Sequence, residues 1–132
     1  MKTTHKKIKL TVEKTETGFS AYSEDLPIYT TGRTIPELMA HALEAVNLYF
    51  DDQRLSITPE QLAFEIDFKQ FFQYYKVINA KFLAHKIGMN PTLLSQYVQG
   101  RKKPSSAQTE KILHGIHQIG QELVELNLIH RP

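Results

Sequence analysis

The stretch Leu83-Ala84-His85-Lys86-Ile87-Gly88-Met89-Asn90-Pro91-Thr92-Leu93-Leu94-Ser95-Gln96-Tyr97-Val98-Gln99-Gly100-Arg101-Lys102-Lys103-Pro104 decides the fold of the C-terminal half. Its spacing predicts a helix from about Ala80 to Lys86, with Leu83, Ala84 and Ile87 on the apolar face. Gly88 falls where a short turn between helices needs φ > 0, a conformation that costs any residue with a Cβ. Asn90 is a good N-cap, and Pro91 loses nothing at the first helical position by lacking an N–H. Leu94, Tyr97 and Val98 supply the buried side of a second helix, leaving Thr92, Leu93, Ser95, Gln96 and Gln99 to face outward. Gly100 ends that helix, and Arg101, Lys102 and Lys103 follow at once. The stretch reads as a helix-turn-helix.

The segment resembles the DNA-binding domains of Cro and lambda-repressor-like regulators, through Leu83, Ala84, Gly88, Ser95, Gly100, Lys103, Pro104 and Ser105. A helical hairpin that happens to be basic is the plainer reading. It leaves the outward polar face and the adjoining basic turn unexplained. The resemblance implies that Pro91–Gln99 lies in the major groove with Thr92 and Gln96 at base edges, glutamine pairing with adenine. Leu93 is then expected against a thymine methyl. Arg101, Lys102 and Lys103 would neutralise phosphates, aided by the amides of the helix that Asn79 begins. Asn90 and Gln99 complete the expected DNA-binding set. One such motif reads a short half-site, so a homodimer or higher homo-oligomer on a palindromic operator is expected.

Downstream, Ser105 and Gln108 have capping-box spacing ahead of a last helix. Ile112, Ile116, Ile119 and Leu123 form one stripe, with Leu113, Val124 and Leu126 beside it. One stripe covers a small core. The second, with Gly115 and Gly120 near it, suggests self-association; a long core helix with a frayed end is the alternative. Upstream, Phe71, Phe72, Tyr74, Tyr75, Val77 and Ile78 read as the first helix of this domain. The helical spacing of Phe72, Tyr75 and Ile78 favours core packing over a base-stacking platform.

The N-terminal half has a different period. Ile8, Leu10 and Val12 alternate with polar residues as a half-buried strand, and Thr15–Gly18 is a turn. Phe19 and Ala21 mark a second strand and Ile28–Thr31 a short third. Thr34, Pro36 and Glu37 announce a helix carrying Leu38, Met39, Ala42, Ala45, Val46 and Tyr49. Leu62, Phe64, Ile66 and Phe68 then alternate on a fourth strand. The fold class is α+β: a β-β-β-α-β layer over residues 1–68, followed by an all-α domain over residues 69–132.

Residues 8–68 resemble the N-terminal domain of HicB-type antitoxins. Val12-Glu13-Lys14, Gly18-Phe19-Ser20-Ala21-Tyr22, Asp25-Leu26-Pro27 and Gly32-Arg33-Thr34 carry the resemblance, with Glu37 and Ala45. Where that family usually has glycine after Asp-Leu-Pro, this chain has Ile28. The resemblance implies a partial RNase H-like domain that binds a small HicA-like mRNA-cleaving toxin, and a C-terminal half that represses its own operon. The toxin-binding surface stays open, with Glu24, Asp25, Leu26 and Pro27 as candidates.

Composition bounds the rest. In 132 residues there is no cysteine, which excludes disulfides and thiol-rich zinc sites and suits a reducing cytoplasm. No apolar run approaches the ~20 residues that span a bilayer, and Met1–Leu10 alternates instead of forming a signal-peptide core. A net charge of +2 conceals a division: residues 1–68 hold seven Lys/Arg against eleven Asp/Glu, and residues 69–132 hold nine against three. An acidic half joined to a basic one suggests partners of opposite charge. No phosphate-binding glycine loop, nucleophile triad or recurrent carboxylate set is present, so neither a catalytic residue nor a cofactor is expected; Glu13 and Asp67 read as solvated acids. Glu110, His114 and His117 have metal-ligand spacing but read as solvent-exposed. Two other classes stay open: a stand-alone regulator whose N-terminal domain binds a ligand or oligomerises, and an RNase H-like nuclease.

Overall fold

The computed structural model describes residues 7–128. Residues 1–6 and 129–132 lie outside the described residues, and with them the outer limits of both expected domains and most of the lysine-rich start. The described chain is mixed α+β. Its elements are β1 (Ile8–Thr15), β2 (Gly18–Tyr22), β3 (Tyr29–Gly32), α1 (Ile35–Tyr49), β4 (Leu62–Ile66), α2 (Phe68–Tyr74), α3 (Ala80–Ile87), α4 (Pro91–Val98) and α5 (Ser106–Glu125). They fall into two compact units, Met1–Tyr74 and Tyr75–Pro132.

In the first unit the strand order is β3-β2-β1-β4, antiparallel except for the β1–β4 pair, which is parallel. Ile8, Leu10 and Val12 stand opposite Leu62, Phe64 and Ile66, so the alternation of both strands builds one apolar face. Leu38, Ala42 and Val46 of α1 close that face. The Thr34 hydroxyl accepts the Glu37 N–H at 3.2 Å and starts the helix as its sequence predicts. Met39, grouped with the apolar positions by sequence, is 47% exposed at the flank. Two glycines let the chain pass close to itself. A Cβ on Gly32 would collide with the Leu38 amide N and lie 2.6 Å from its Cα; one on Gly18 (φ 154°) would strike the Gly32 carbonyl. Ser20, between Glu13 and Thr31 on an interior strand, is buried although polar.

The fourth strand stops at Ile66 rather than at the expected Phe68, because Asp67 turns the chain into a helix. Its carboxylate accepts the Gln70 N–H at 3.0 Å. Gln70 reaches back to β1, its Oε1 accepting the Lys14 N–H at 2.8 Å and its Nε2 donating to the Lys14 carbonyl at 2.7 Å. These two bonds fasten α2 to the sheet. The aromatic run is therefore not the first helix of the second domain: Phe71, Phe72 and Tyr74 belong to the first unit, and residues 75–79 form a turn. Helical spacing marks a buried helix but cannot say which core buries it. Phe72 packs as expected, buried with its ring 6.2 Å from that of Phe68 and 5.5 Å from that of Phe71, whereas Tyr75 and Ile78 lie half-buried in the turn after the helix and Val77 is exposed.

The second unit is three helices around Leu83, Ala84, Met89, Leu94, Tyr97 and Ile112, all buried. Ser105 caps α5 by accepting the Gln108 N–H at 3.2 Å. At Gly115 the helix passes over α3 so closely that a Cβ would collide with Ile87 and sit 2.9 Å from Leu83 Cδ1. Gly115 is thus a core residue rather than part of a self-association surface. Gly120 has nothing within 4 Å of where its Cβ would be.

Replacing Gln70 by alanine should lower the free energy of urea unfolding by about 1–3 kcal/mol, because two strand backbone groups lose their partners. Gln73→Ala, on the exposed side of the same helix, should change it by less than ~0.5 kcal/mol. Equal effects would show that the Gln70 clamp carries no stability.

Candidate nucleic-acid interface

The segment from α3 to α4 is built by its caps. Asn79 starts α3 by accepting the Phe82 N–H at 2.9 Å, and Asn90 starts α4 by accepting the Thr92 N–H at 2.8 Å. At the end of α3, Gly88 takes the left-handed conformation (φ 67°, ψ 32°). Its N–H donates to the His85 carbonyl at 3.3 Å, and the Met89 N–H to the Ala84 carbonyl at 2.9 Å. That pair of bonds is a Schellman stop, and buried Met89 pins it to the core. The same device ends α4. Gly100 (φ 75°) donates to the Tyr97 carbonyl at 3.1 Å, and Arg101 donates to the Gln96 carbonyl at 2.9 Å. Lys102 N–H also reaches the Gln96 carbonyl, at 3.3 Å. The basic run therefore leaves α4 from a fixed point.

Among the residues expected to meet DNA, Asn79, Asn90, Pro91, Thr92, Gln99, Arg101, Lys102 and Lys103 are exposed, and Leu93 and Gln96 are half-buried. They lie on α4, on the turn after it and at the two helix starts. Asn79 and Asn90 each commit Oδ1 to a cap, leaving only Nδ2 for an outside acceptor, so they position helices more than they read a partner. Gln99 Nε2 donates to Ser95 Oγ at 3.2 Å. None of α3, α4 and α5 carries an acid in its first turn, whereas α1 carries Glu37. The positive ends of those three dipoles are left uncompensated, which suits anions. Lys81 was missed by the sequence reading. It is exposed in the first turn of α3, and a base where the dipole favours an acid was the available signal. Lys86 is engaged elsewhere, 2.7 Å from Glu122 of α5.

In the first unit, the candidate loop Glu24–Pro27 is held by Ser23, whose Oγ accepts the Asp25 and Leu26 N–H groups at 3.2 and 3.0 Å. Glu24, Asp25 and Pro27 are exposed, while Leu26 packs against the α1 core and Ile28 is buried in it. Three of the four candidates can be met from outside. Leu26 anchors the loop instead. The Tyr22 hydroxyl is pushed above its usual pKa, first by burial and then by the negative charges of Glu13, Asp67 and Glu24. Those acids share a neighbourhood that sequence spacing did not reveal, although Asp67 serves as the cap of α2. Among the described residues no group of His, Cys, Asp and Glu is arranged to hold a metal. Glu110, His114 and His117 line a shallow open depression on α5. No helix among the described residues is long and apolar enough to cross a membrane. No family model, curated protein or solved structure matches this chain.

Gly88→Ala should cost about 1–2 kcal/mol, since the space is open and only the left-handed backbone penalises a Cβ. Gly88→Asn should cost clearly less, because asparagine tolerates that conformation. Thermal melts of the two variants check the order; its reversal would mean that packing, not φ, selects glycine there.

Proposed function

We propose that the chain is an antitoxin-type transcription regulator. Its Tyr75–Pro132 unit binds double-stranded operator DNA through α4 and the basic turn, and its Met1–Tyr74 unit binds and neutralises a small HicA-like mRNA-cleaving toxin. One observation carries the DNA reading: Arg101 and Lys102 are tied by their own amides to the Gln96 carbonyl, so cationic side chains start at a set distance from the outward face of α4. Phosphate contacts made from a rigid point fix register, which is what base-reading side chains need. Thr92 and Gln96 are the proposed base readers, with Leu93 against a thymine methyl. Arg101, Lys102 and Lys103, joined by Lys81, are the proposed phosphate contacts.

The toxin reading rests on the residues that carry the HicB resemblance and on charge. Gly18 and Gly32 of those motifs stand at close backbone approaches that exclude other residues. The exposed loop residue Glu24 adds its negative charge to those of Glu13 and Asp67 around Tyr22, and exposed Asp25 follows it in the loop. A toxin that grips RNA presents a cationic face, which an acidic surface attracts and covers. The proposed role is binding and repression, with no catalytic step of its own.

Changing Lys102 and Lys103 to alanine should weaken binding to all duplexes alike and lower the salt slope by about one unit per lost contact. Gln96→Ala should instead cost about 1–3 kcal/mol on the operator and relax preference at one base position. If Gln96→Ala ranks operator variants as the parent does, that residue does not read a base. The full chain with Arg101, Lys102 and Lys103 all changed to alanine should still rescue growth from the toxin encoded beside it. Loss of rescue would sink the division of labour.

A further inference from the structure

The sheet of the first unit has two faces, and its core accounts for one of them, where Ile8, Leu10 and Val12 pack with α1. By the same alternation Thr11 and Glu13 of β1, Tyr22 of β2, Tyr29 and Thr31 of β3 and Glu65 of β4 stand on the other face. None of them belongs to that core. A solvated face needs only polar residues. This one sets two tyrosines directly opposite each other, Tyr22 half-buried and Tyr29 67% exposed. Its charge is uneven too. Glu13, Asp67 and Glu24 all act on the Tyr22 hydroxyl, which burial first and then these acids push above its ordinary pKa. Lys7 and Lys9 stand at the start of β1, where Lys9 lies 3.2 Å from Glu65.

We propose that this face, centred on Tyr22 and Tyr29, is where the toxin docks, receiving arginine and lysine side chains of the surface with which the toxin grips RNA. The assignment rests on the antitoxin reading above and gives it a place. Tyrosine rings accept guanidinium and ammonium groups on their faces. Glu13 and Glu24, whose charges already reach Tyr22, supply carboxylates to pair with the same cations. Tyrosine is also enriched among the residues that carry most of the energy of a protein contact. The sign of the charge selects among occupants. Nucleic acid is repelled by it, and a second copy of the same face would meet its own sign. The loop Glu24–Pro27 is then the rim of the surface, joined to it through Glu24, and not its centre.

The test mixes the full chain with the small protein encoded beside it and measures affinity by calorimetry and association by stopped flow. Tyr29→Ala should raise the dissociation constant about tenfold or more. Glu24→Lys should raise it through slower association and flatten the dependence of that rate on salt. Leu48→Glu, on the far side of α1 and 78% exposed, should change neither. Tyr29 and Glu24 are exposed, so both variants should keep the circular dichroism of the parent. Binding as tight in Tyr29→Ala and Glu24→Lys as in the parent overturns this surface and leaves the antitoxin reading standing. So does binding that Leu48→Glu abolishes while those two do not. A parent chain that fails to bind the neighbouring protein overturns both the surface and the reading beneath it. Self-association of the parent that is broken by Tyr29→Ala, by Glu24→Lys and by Lys102→Ala with Lys103→Ala would mean that the face holds the basic turn of a second copy, and the proposal falls.

Discussion

The second unit depends on a backbone conformation that only glycine adopts cheaply. At Gly88 and again at Gly100 the chain turns left-handed, and each time the glycine's own amide and the next one fold back onto carbonyls of the helix just ended. A left-handed L-residue costs roughly 1–2 kcal/mol, so the two glycines remove a penalty at the two points where the path is decided. The path is then held by main-chain bonds and by a few buried side chains, Leu83, Ala84, Met89, Leu94 and Tyr97. Thr92 and Gln99 take no part in the core and are exposed. What they touch can change without altering the angle at which α4 is presented.

The first unit is held together by other means. Register does most of the work: one slip of β1 would move Ile8, Leu10 and Val12 off the face that α1 covers. The exposed pair Lys9–Glu65, at 3.2 Å, adds little. Lys14 matters more. Its ammonium donates to the Thr15 and Gly18 carbonyls at 2.6 and 2.9 Å, and lies 5.0 Å from the Phe19 ring and 5.2 Å from that of Tyr74. One side chain thus closes the β1–β2 turn and holds the end of α2 against it, while the Lys14 backbone is gripped by Gln70.

Much of this was legible in the residues, and the failures have physical reasons. Alternation at Ile8, Leu10 and Val12 fixed a strand and its buried face, since a period of two has only one such solution. Caps were readable because Thr34, Asn79, Asn90 and Ser105 act on amides two or three residues away. The limit of the first unit was not. It depends on Gln70 meeting Lys14, 56 residues away in sequence, and no local pattern reports such a bond. Phe71 and Phe72 have the spacing of a buried helix whichever core receives them. Gly115 looked like a gap for another molecule, yet it receives Ile87 and Leu83 of its own unit. Within the candidate interface, the outward face of α4 followed from its period, whereas Lys81 needed the start of α3 to be placed first.

The parallel pairing of β1 with β4 also sets a timetable. β1 is made before its partner Leu62–Ile66 and the Gln70 side chain that grips Lys14, which come more than 50 residues later. Until that long loop closes, β1 has only β2 beside it in the sheet and its other edge is unpaired. α3, α4 and α5 meet through short connections, which close at small entropic cost. Contacts of high sequence separation slow folding, and local ones speed it. The second unit is therefore expected to fold the faster of the two once each chain segment is available. The open β1 edge of a nascent first unit is the feature most in need of protection on the ribosome.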